Sequence, residues 1–135
     1  MSVSQENIEL LLEANQRFES TDWDGLARLW HPDARLSGPE GWPEPGPFEG
    51  REAVIEQFRR LASDWQQQQV ADVEVVVDRD EWVVWTLRWE TRGGKSGAAT
   101  EGRFAAAYRV TDGLINEAHF RWTPEEALAA AGLSE

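Results

Sequence analysis

The chain has no cysteine and only two histidines, His31 and His119, in 135 residues. Without cysteine there is no disulfide, no thiolate metal ligand and no cysteine nucleophile. Two histidines without HxxxH or HxxE spacing do not make a zinc or iron centre unless carboxylates join them, so no metal is expected. The N-terminal stretch MSVSQENIELLLEANQRF carries no basic cluster, and no segment reaches the roughly 20 apolar residues of a membrane span. The expectation is a soluble, cytoplasmic protein. Basic residues are in the minority: 13 Lys and Arg against 25 Asp and Glu give a net charge of −12. Such a chain repels phosphate backbones and anionic bilayers, which argues against nucleic-acid and membrane partners. GxSxG, P-loop and GxGxxG signatures are missing too, and no cofactor is expected.

Tryptophan, by contrast, is abundant, with eight residues. Trp82, Trp85 and Trp89 crowd one segment and Trp122 ends another. That much indole in one small domain, residues 1–135, either fills a core or walls a pocket for an apolar ligand.

Periodicity divides the chain into a helical first half and a stranded second half. Ile8, Leu11, Leu12, Asn15 and Phe18 share one face of a first helix, with Ser4 as its N-cap. Asp22 caps a second helix that buries Trp23, Leu26, Leu29 and Trp30, and Pro32 stops it. A short strand spans 34–37. Residues 38–50 hold four glycines and four prolines, a density that only a loop tolerates. A third helix covers 51–65, with Val54, Phe58, Leu61 and Trp65 inward. Strands follow at Val73–Val77, Trp82–Arg92, Gly102–Val110 and Leu114–Trp122, with a hairpin loop at RGGKSG and a tight turn at Thr111–Gly113. The chain closes on a helix with Thr123 as N-cap, Pro124 first, Glu126 in a capping box and Gly132 as stop. Helices first and an antiparallel meander after them predict an α+β fold, a cone-shaped curved sheet covered by N-terminal helices.

Alternation sorts the strands into two faces. One carries Val83, Trp85, Leu87 and Trp89, then Phe104, Ala106, Tyr108 and Val110, then Ala118, Phe120 and Trp122. It is almost wholly apolar and turns toward the helices. The other mixes Arg88, Glu90, Arg103, Glu117, His119 and Arg121 with Trp82, Val84, Ala105 and Ala107. A solvated ladder would need neither Trp82 nor Val84, so this face is expected to form a homodimer contact, with a simple solvated face as the alternative.

The runs FESTDWDGLARLWHPDARL, FEGREAVIEQF, RFAAAYRVTDGLI and TPEEALAAAGL resemble the SnoaL-like branch of the nuclear-transport-factor-2-like superfamily. That superfamily also holds ketosteroid isomerases, polyketide cyclases, dehydratases and epoxide hydrolases. The resemblance covers nearly the whole chain. It implies a cone with one deep pocket and, commonly, a dimer through the outer sheet face. Carried over residue by residue, the isomerase's oxyanion tyrosine falls at Ala14, its base at Gly38 and its neutral aspartate at Ala106. The two tyrosines of its network fall near Trp30 and Phe58. No proton acceptor or hydroxyl donor stands at any of the five, so ketosteroid isomerisation is not expected.

The expected ligand site is therefore a neutral apolar hollow: Asn15, Trp30, Phe58, Trp85, Trp89, Phe104, Tyr108, Phe120 and Trp122. Asn15 and Tyr108 are its polar groups, and each either serves an internal network or binds a ligand. The aromatic residues either wall a cavity or fill it. Trp42 and Phe48 in the proline-rich loop either close the mouth or pack as a satellite cluster. The weak catalytic candidates are His119, which parity puts on the outer face, and His31 with Asp33, either a turn or an acid–base dyad. The functional expectation is binding of a small aromatic or polycyclic molecule, with isomerase-, cyclase- or hydrolase-type chemistry left open. The alternative is a non-enzymatic dimeric binding or adaptor module, which asks for an exposed apolar patch near Trp82 and Val84.

Overall fold

The computed structural model describes residues 3–65, 67–93 and 99–133. Helices α1 (Val3–Glu19), α2 (Trp23–Ala27) and α3 (Arg51–Ser63) accompany strands β1 (Trp30–Ser37) and β2 (Phe48–Glu49). Strands β3 (Gln67–Arg79), β4 (Trp82–Arg92), β5 (Ala99–Thr111) and β6 (Leu114–Arg121) follow, then α4 (Pro124–Ala130). One six-stranded sheet has the order β2-β1-β6-β5-β4-β3. It is mixed, because β1 runs parallel to β6 while the other pairs are antiparallel.

Local chemistry explains the turns. Asp112 and Gly113 both have positive φ, and Thr111 pairs with Leu114. This two-residue loop twists with the strands it joins, and glycine takes such a backbone without cost. Two register shifts in β3, between Ala71 and Glu74 and between Val75 and Val77, insert extra residues opposite β4. Bulges of this kind bend a strand and curl the sheet. They also break the simple alternation of the valines. Val73 packs with the concave core, Val77 with the outer cluster, and Val75 is exposed.

The two faces separate as alternation requires. Val83, Trp85, Leu87, Phe104, Ala106, Tyr108, Val110 and Ala118 join Leu11, Phe18, Leu26, Trp30, Val54 and Phe58 in one core on the concave side. On the convex side α4 lays Ala127 and Leu128 over Val84, Ala105 and Ala107. Val84 is fully buried beneath it. Of the apolar residues that suggested a subunit contact, Val84 thus has its cover inside the chain, while Trp82 is only partly buried. Among the described residues, the patch that the adaptor reading asks for near Trp82 and Val84 is covered at Val84 and partly open at Trp82.

Several boundaries differ from the sequence reading. Helix α1 begins at Val3, so Ser4 lies within it and does not cap it, and Leu12 is exposed because Ala14 takes the inward position. Helix α2 ends at Ala27. Trp30 and Pro32 belong to β1, and Pro32 sits where β1 has no ladder partner, between the paired residues Trp30 and Arg35. A proline cannot donate to a ladder, so an unpaired stretch accommodates it. The two-residue strand β2 interrupts the proline-rich loop. Helix α3 stops at Ser63, two residues before Trp65. Residues 94–97 of the expected hairpin loop lie outside the described residues. The C-terminal helix keeps its expected N-cap and stop, while the Glu126 carboxylate accepts from the Thr123 hydroxyl at 3.0 Å. Thr123 Oγ1 accepts from the Glu126 N–H at 3.2 Å, and the Leu133 N–H reaches the Leu128 carbonyl at 2.9 Å across Gly132, which has φ +71°.

Candidate functional site

Between the concave sheet face and α1–α3 lies a cavity of about 110 Å³, partly open to solvent. Helix α1 contributes Leu11, Ala14, Asn15 and Phe18; α3 contributes Gln57, Phe58 and Leu61. The sheet supplies Trp30, Leu36, Val70, Leu87, Trp89, Phe104, Tyr108, Ile115 and Phe120. The rim comes from the glycine- and proline-rich loop, through Gly38, Pro39, Trp42, Glu44 and Phe48.

Seven of the nine expected ligand residues line this space: Asn15, Trp30, Phe58, Trp89, Phe104, Tyr108 and Phe120. Trp85 and Trp122 do not. Trp85 is fully buried behind the wall, edge-on to Tyr108 with ring centroids 5.2 Å apart. It shares the inward parity of Leu87 but sits deeper in the core. Trp122 follows the end of β6 and is half-exposed. It stacks on Phe104 at 5.4 Å, and its Nε1–H donates to the Glu40 carbonyl at 2.8 Å. It braces the loop from outside. Trp42 meets both Phe104 and Trp122, so the loop aromatics are packed into the wall and also border the opening.

The polar groups of the cavity are neutral apart from Glu44. Burial pushes the Tyr108 hydroxyl well above its ordinary pKa, against a smaller opposing effect of the Trp85 indole. Tyr108 therefore stays a neutral hydroxyl through the physiological range. Glu44 stands at the rim, half-exposed, in an ion pair with Arg60 at 3.4 Å. Trp89 spends its N–H on Gln68 Oε1 at 3.1 Å, and Gln68 in turn donates to the Phe18 carbonyl. The buried Trp30 Nε1–H has no acceptor among the described residues. The positions that the resemblance assigned to isomerase chemistry fall here as well. Ala14, Gly38, Trp30 and Phe58 line the cavity, and Ala106 is buried on the same sheet face.

The sequence reading missed Gln57, which is 2% exposed and lines the cavity. A signal existed. Residue 57 falls on the stripe of Val54, Phe58 and Leu61, at helical spacing, and a polar residue there must be buried.

The weak catalytic candidates lie elsewhere. His31 accepts the Asp33 backbone N–H on Nδ1 at 3.0 Å, an exposed local bond, and neither residue lines the cavity. His119 is on the convex face, stacked on Trp82. Its Nε2 faces Glu117 Oε1 at 2.9 Å and its Nδ1 faces Ser37 Oγ at 2.7 Å. In the neutral ring Nε2–H donates to the carboxylate, leaving Nδ1 to accept the Ser37 hydroxyl. Burial alone would raise the Glu117 pKa, but His119 and Arg109 outweigh it and hold the carboxyl below its ordinary value. Among the described residues no group of three or more His, Asp or Glu side chains is placed to hold a metal. Nor is any helix among them long and apolar enough to cross a membrane.

The SnoaL-like domain model matches residues 11–118. The chain belongs to the SnoaL-like domain family. Solved structures extend the likeness over the whole fold. A putative SnoaL-like polyketide cyclase from Jannaschia sp. CCS1 is 19% identical, with a TM-score of 0.74 over 89% of this chain and 87% of that one. An NTF2-like protein of unknown function from Burkholderia pseudomallei K96243 is 20% identical, with a TM-score of 0.75 over 96% and 97%. TerC, co-crystallised with polyporic acid, is 21% identical, with a TM-score of 0.74 over 95% and 97%. At these identities the likeness establishes the NTF2-like fold and leaves the reaction open. No curated protein matches the chain.

Proposed function

We propose that this SnoaL-like domain binds a small, flat, apolar molecule in the cavity beneath α1 and α3. The observation that carries the reading is a partly open, aromatic-lined space whose interior polar groups, Asn15, Gln57 and Tyr108, are all neutral. Its volume of about 110 Å³ sits a little below the roughly 150 Å³ of an engineered apolar cavity that takes up benzene. The enclosed space is thus smaller than one that takes up benzene, so a bound ring sits partly in the opening and the remainder of any larger polycyclic ligand extends past Trp42 and Phe48. Chemistry of the cyclase or isomerase kind would have to come from positioning, because the one carboxylate at the opening, Glu44, is occupied by Arg60. The polyketide cyclase and the polyporic-acid complex among the structural neighbours are in keeping with such a site.

Trp30 and Trp89 line the cavity and report its occupancy. Naphthalene and indane are expected to quench their fluorescence saturably at sub-millimolar concentration. Ala14→Leu, which places extra methyl groups in the cavity, is expected to abolish the quenching. Linear, non-saturable quenching of the native protein up to the solubility limit would overturn the reading.

A further inference from the structure

Gln57 is a buried amide held at one end only. Arg60 Nη2 donates to its Oε1 at 2.7 Å. Its Nε2, with two N–H donors, has no partner among the described residues. The two ends of a glutamine amide are alike in shape, and only a hydrogen-bond partner tells which end points where. A guanidinium has donors and no acceptor, so Arg60 fixes the oxygen end toward itself and the N–H end away from itself. Arg60 is itself fixed. Its Nε meets Glu44 at 3.4 Å, and its guanidinium carbon lies 5.9 Å from the centre of the Phe48 ring.

This makes Gln57 different from the other polar groups of the cavity. Asn15 has no such tether among the described residues, so its amide can turn to offer either a donor or an acceptor. Gln57 presents donors in one sense only. The cation on its oxygen also polarises the amide and strengthens those donors. A donor that lines the cavity loses its contact with cavity solvent when a hydrocarbon fills the space, whereas a ligand acceptor replaces that contact.

We propose that Gln57 is the specificity-determining donor of the cavity and that Arg60 is the residue that positions it. The site then selects ring compounds bearing an exposed carbonyl or anionic oxygen over the parent hydrocarbons. The proposal rests on the reading of the cavity as a small-molecule site and adds the class of molecule.

The experiment is a matched pair, 1-indanone against indane, titrated by tryptophan fluorescence into the full chain and its variants. The native protein is expected to bind 1-indanone about five- to tenfold tighter, the worth of one hydrogen bond to a buried donor. Gln57→Leu should bring the ratio to about one by weakening 1-indanone alone, with indane unchanged or tighter. Gln57→Glu keeps the shape and the Arg60 contact but loses the donors, so its ratio should fall to one or below. It also serves if the leucine variant does not fold. Arg60→Met frees the amide to turn and should lower the ratio part of the way without weakening indane. A purely structural role for Arg60 would weaken both ligands equally, and that result would overturn its assignment. A ratio that persists in both Gln57 variants overturns the inference while the cavity reading stands. Failure of both ligands to bind the native protein overturns the two together.

Discussion

Trp85 and Val84 are adjacent in sequence and both fully buried, yet they are buried by different parts of the molecule. Trp85 joins the concave core with Val83, Leu87, Ala106 and Tyr108, under helices drawn from the first half of the chain. Val84 joins a small convex cluster closed by Ala127 and Leu128 of α4. Outside that cluster the convex face is ionic: Arg88 meets Asp72, Glu90 and Glu101, and Arg109 meets Glu81 and Glu117. One face of the sheet is thus held by burial throughout. The other is held by burial where its own last helix reaches, and by charge pairs where it does not. The contrast assigns roles as well. The face with the large residues hosts a cavity, because bulky aromatic walls with helices across a curved sheet leave a gap that small residues under a close-packed helix do not.

The largest expected effect lies on the concave face. Trp85→Ala should cost about 3–5 kcal/mol, the range for emptying a fully buried large aromatic site. Urea unfolding followed by circular dichroism measures it. A loss under about 1 kcal/mol would mean that this core closes over the gap and is not organised around the indole.

On the convex face, Leu128→Ala should cost less, about 2–3 kcal/mol, because the α4 cluster is smaller and nearer the surface. If the cluster is complete within one chain, the loss appears in the urea midpoint with no change in sedimentation mass. A variant that changes mass while keeping its stability would restore the case for a second copy on this face.

The contrast between the faces was visible in the sequence through period two, which separates Trp85 and Tyr108 from Val84 and Ala107 without knowledge of any neighbour. What α4 covers was not visible. The cap at Thr123 and the stop at Gly132 announce a helix, but its docking on Val84, Ala105 and Ala107 is a tertiary fact with no local signature. The same limit explains Trp122 and Trp30. Trp122 lies one residue past β6, so parity extends one step too far, and Trp30 opens β1 three residues after α2 ends, so helical period extends three steps too far. It explains Gln57 differently. The 54–58–61 stripe is hydrophobic apart from the glutamine inside it, which spacing alone marks as buried. Alternation puts Trp89, Phe104, Tyr108 and Phe120 on one face, and these line the cavity; its volume was not legible, because volume depends on how far rings such as Phe104 and Trp42 interdigitate.

Alkaline pH tests the concave face by a different route. The Tyr108 phenol holds its proton more tightly in the folded protein than in the unfolded chain, because burial disfavours the phenolate. Its contribution to stability is therefore complete below the unfolded value of about 10 and is lost as pH rises beyond it. The native protein should lose stability between about pH 9 and 11, and Tyr108→Phe should lose less over the same interval. The comparison of their urea midpoints at each pH measures the difference. Equal slopes would mean that the hydroxyl is solvated and that the cavity around it is wetter than its lining suggests.

The smallest effects belong to the ionic part of the convex face, and they should differ from one another. Arg88 has a 24% exposed side chain and three carboxylate partners within 3.6 Å. Arg103 is 72% exposed, and it meets Glu101 at 3.9 Å. Solvent screens the second contact almost completely, whereas the first combines partial burial, two contacts under 3 Å and partners drawn from β3, β4 and β5. Arg88→Met should cost about 1 kcal/mol in low salt and less in 1 M salt, while Arg103→Met should stay within about 0.3 kcal/mol of the native protein in both. Urea midpoints at the two salt concentrations read both effects. Equal losses for the two arginines would show that the convex charges act as a diffuse field, and that the three carboxylates around Arg88 add nothing through their geometry.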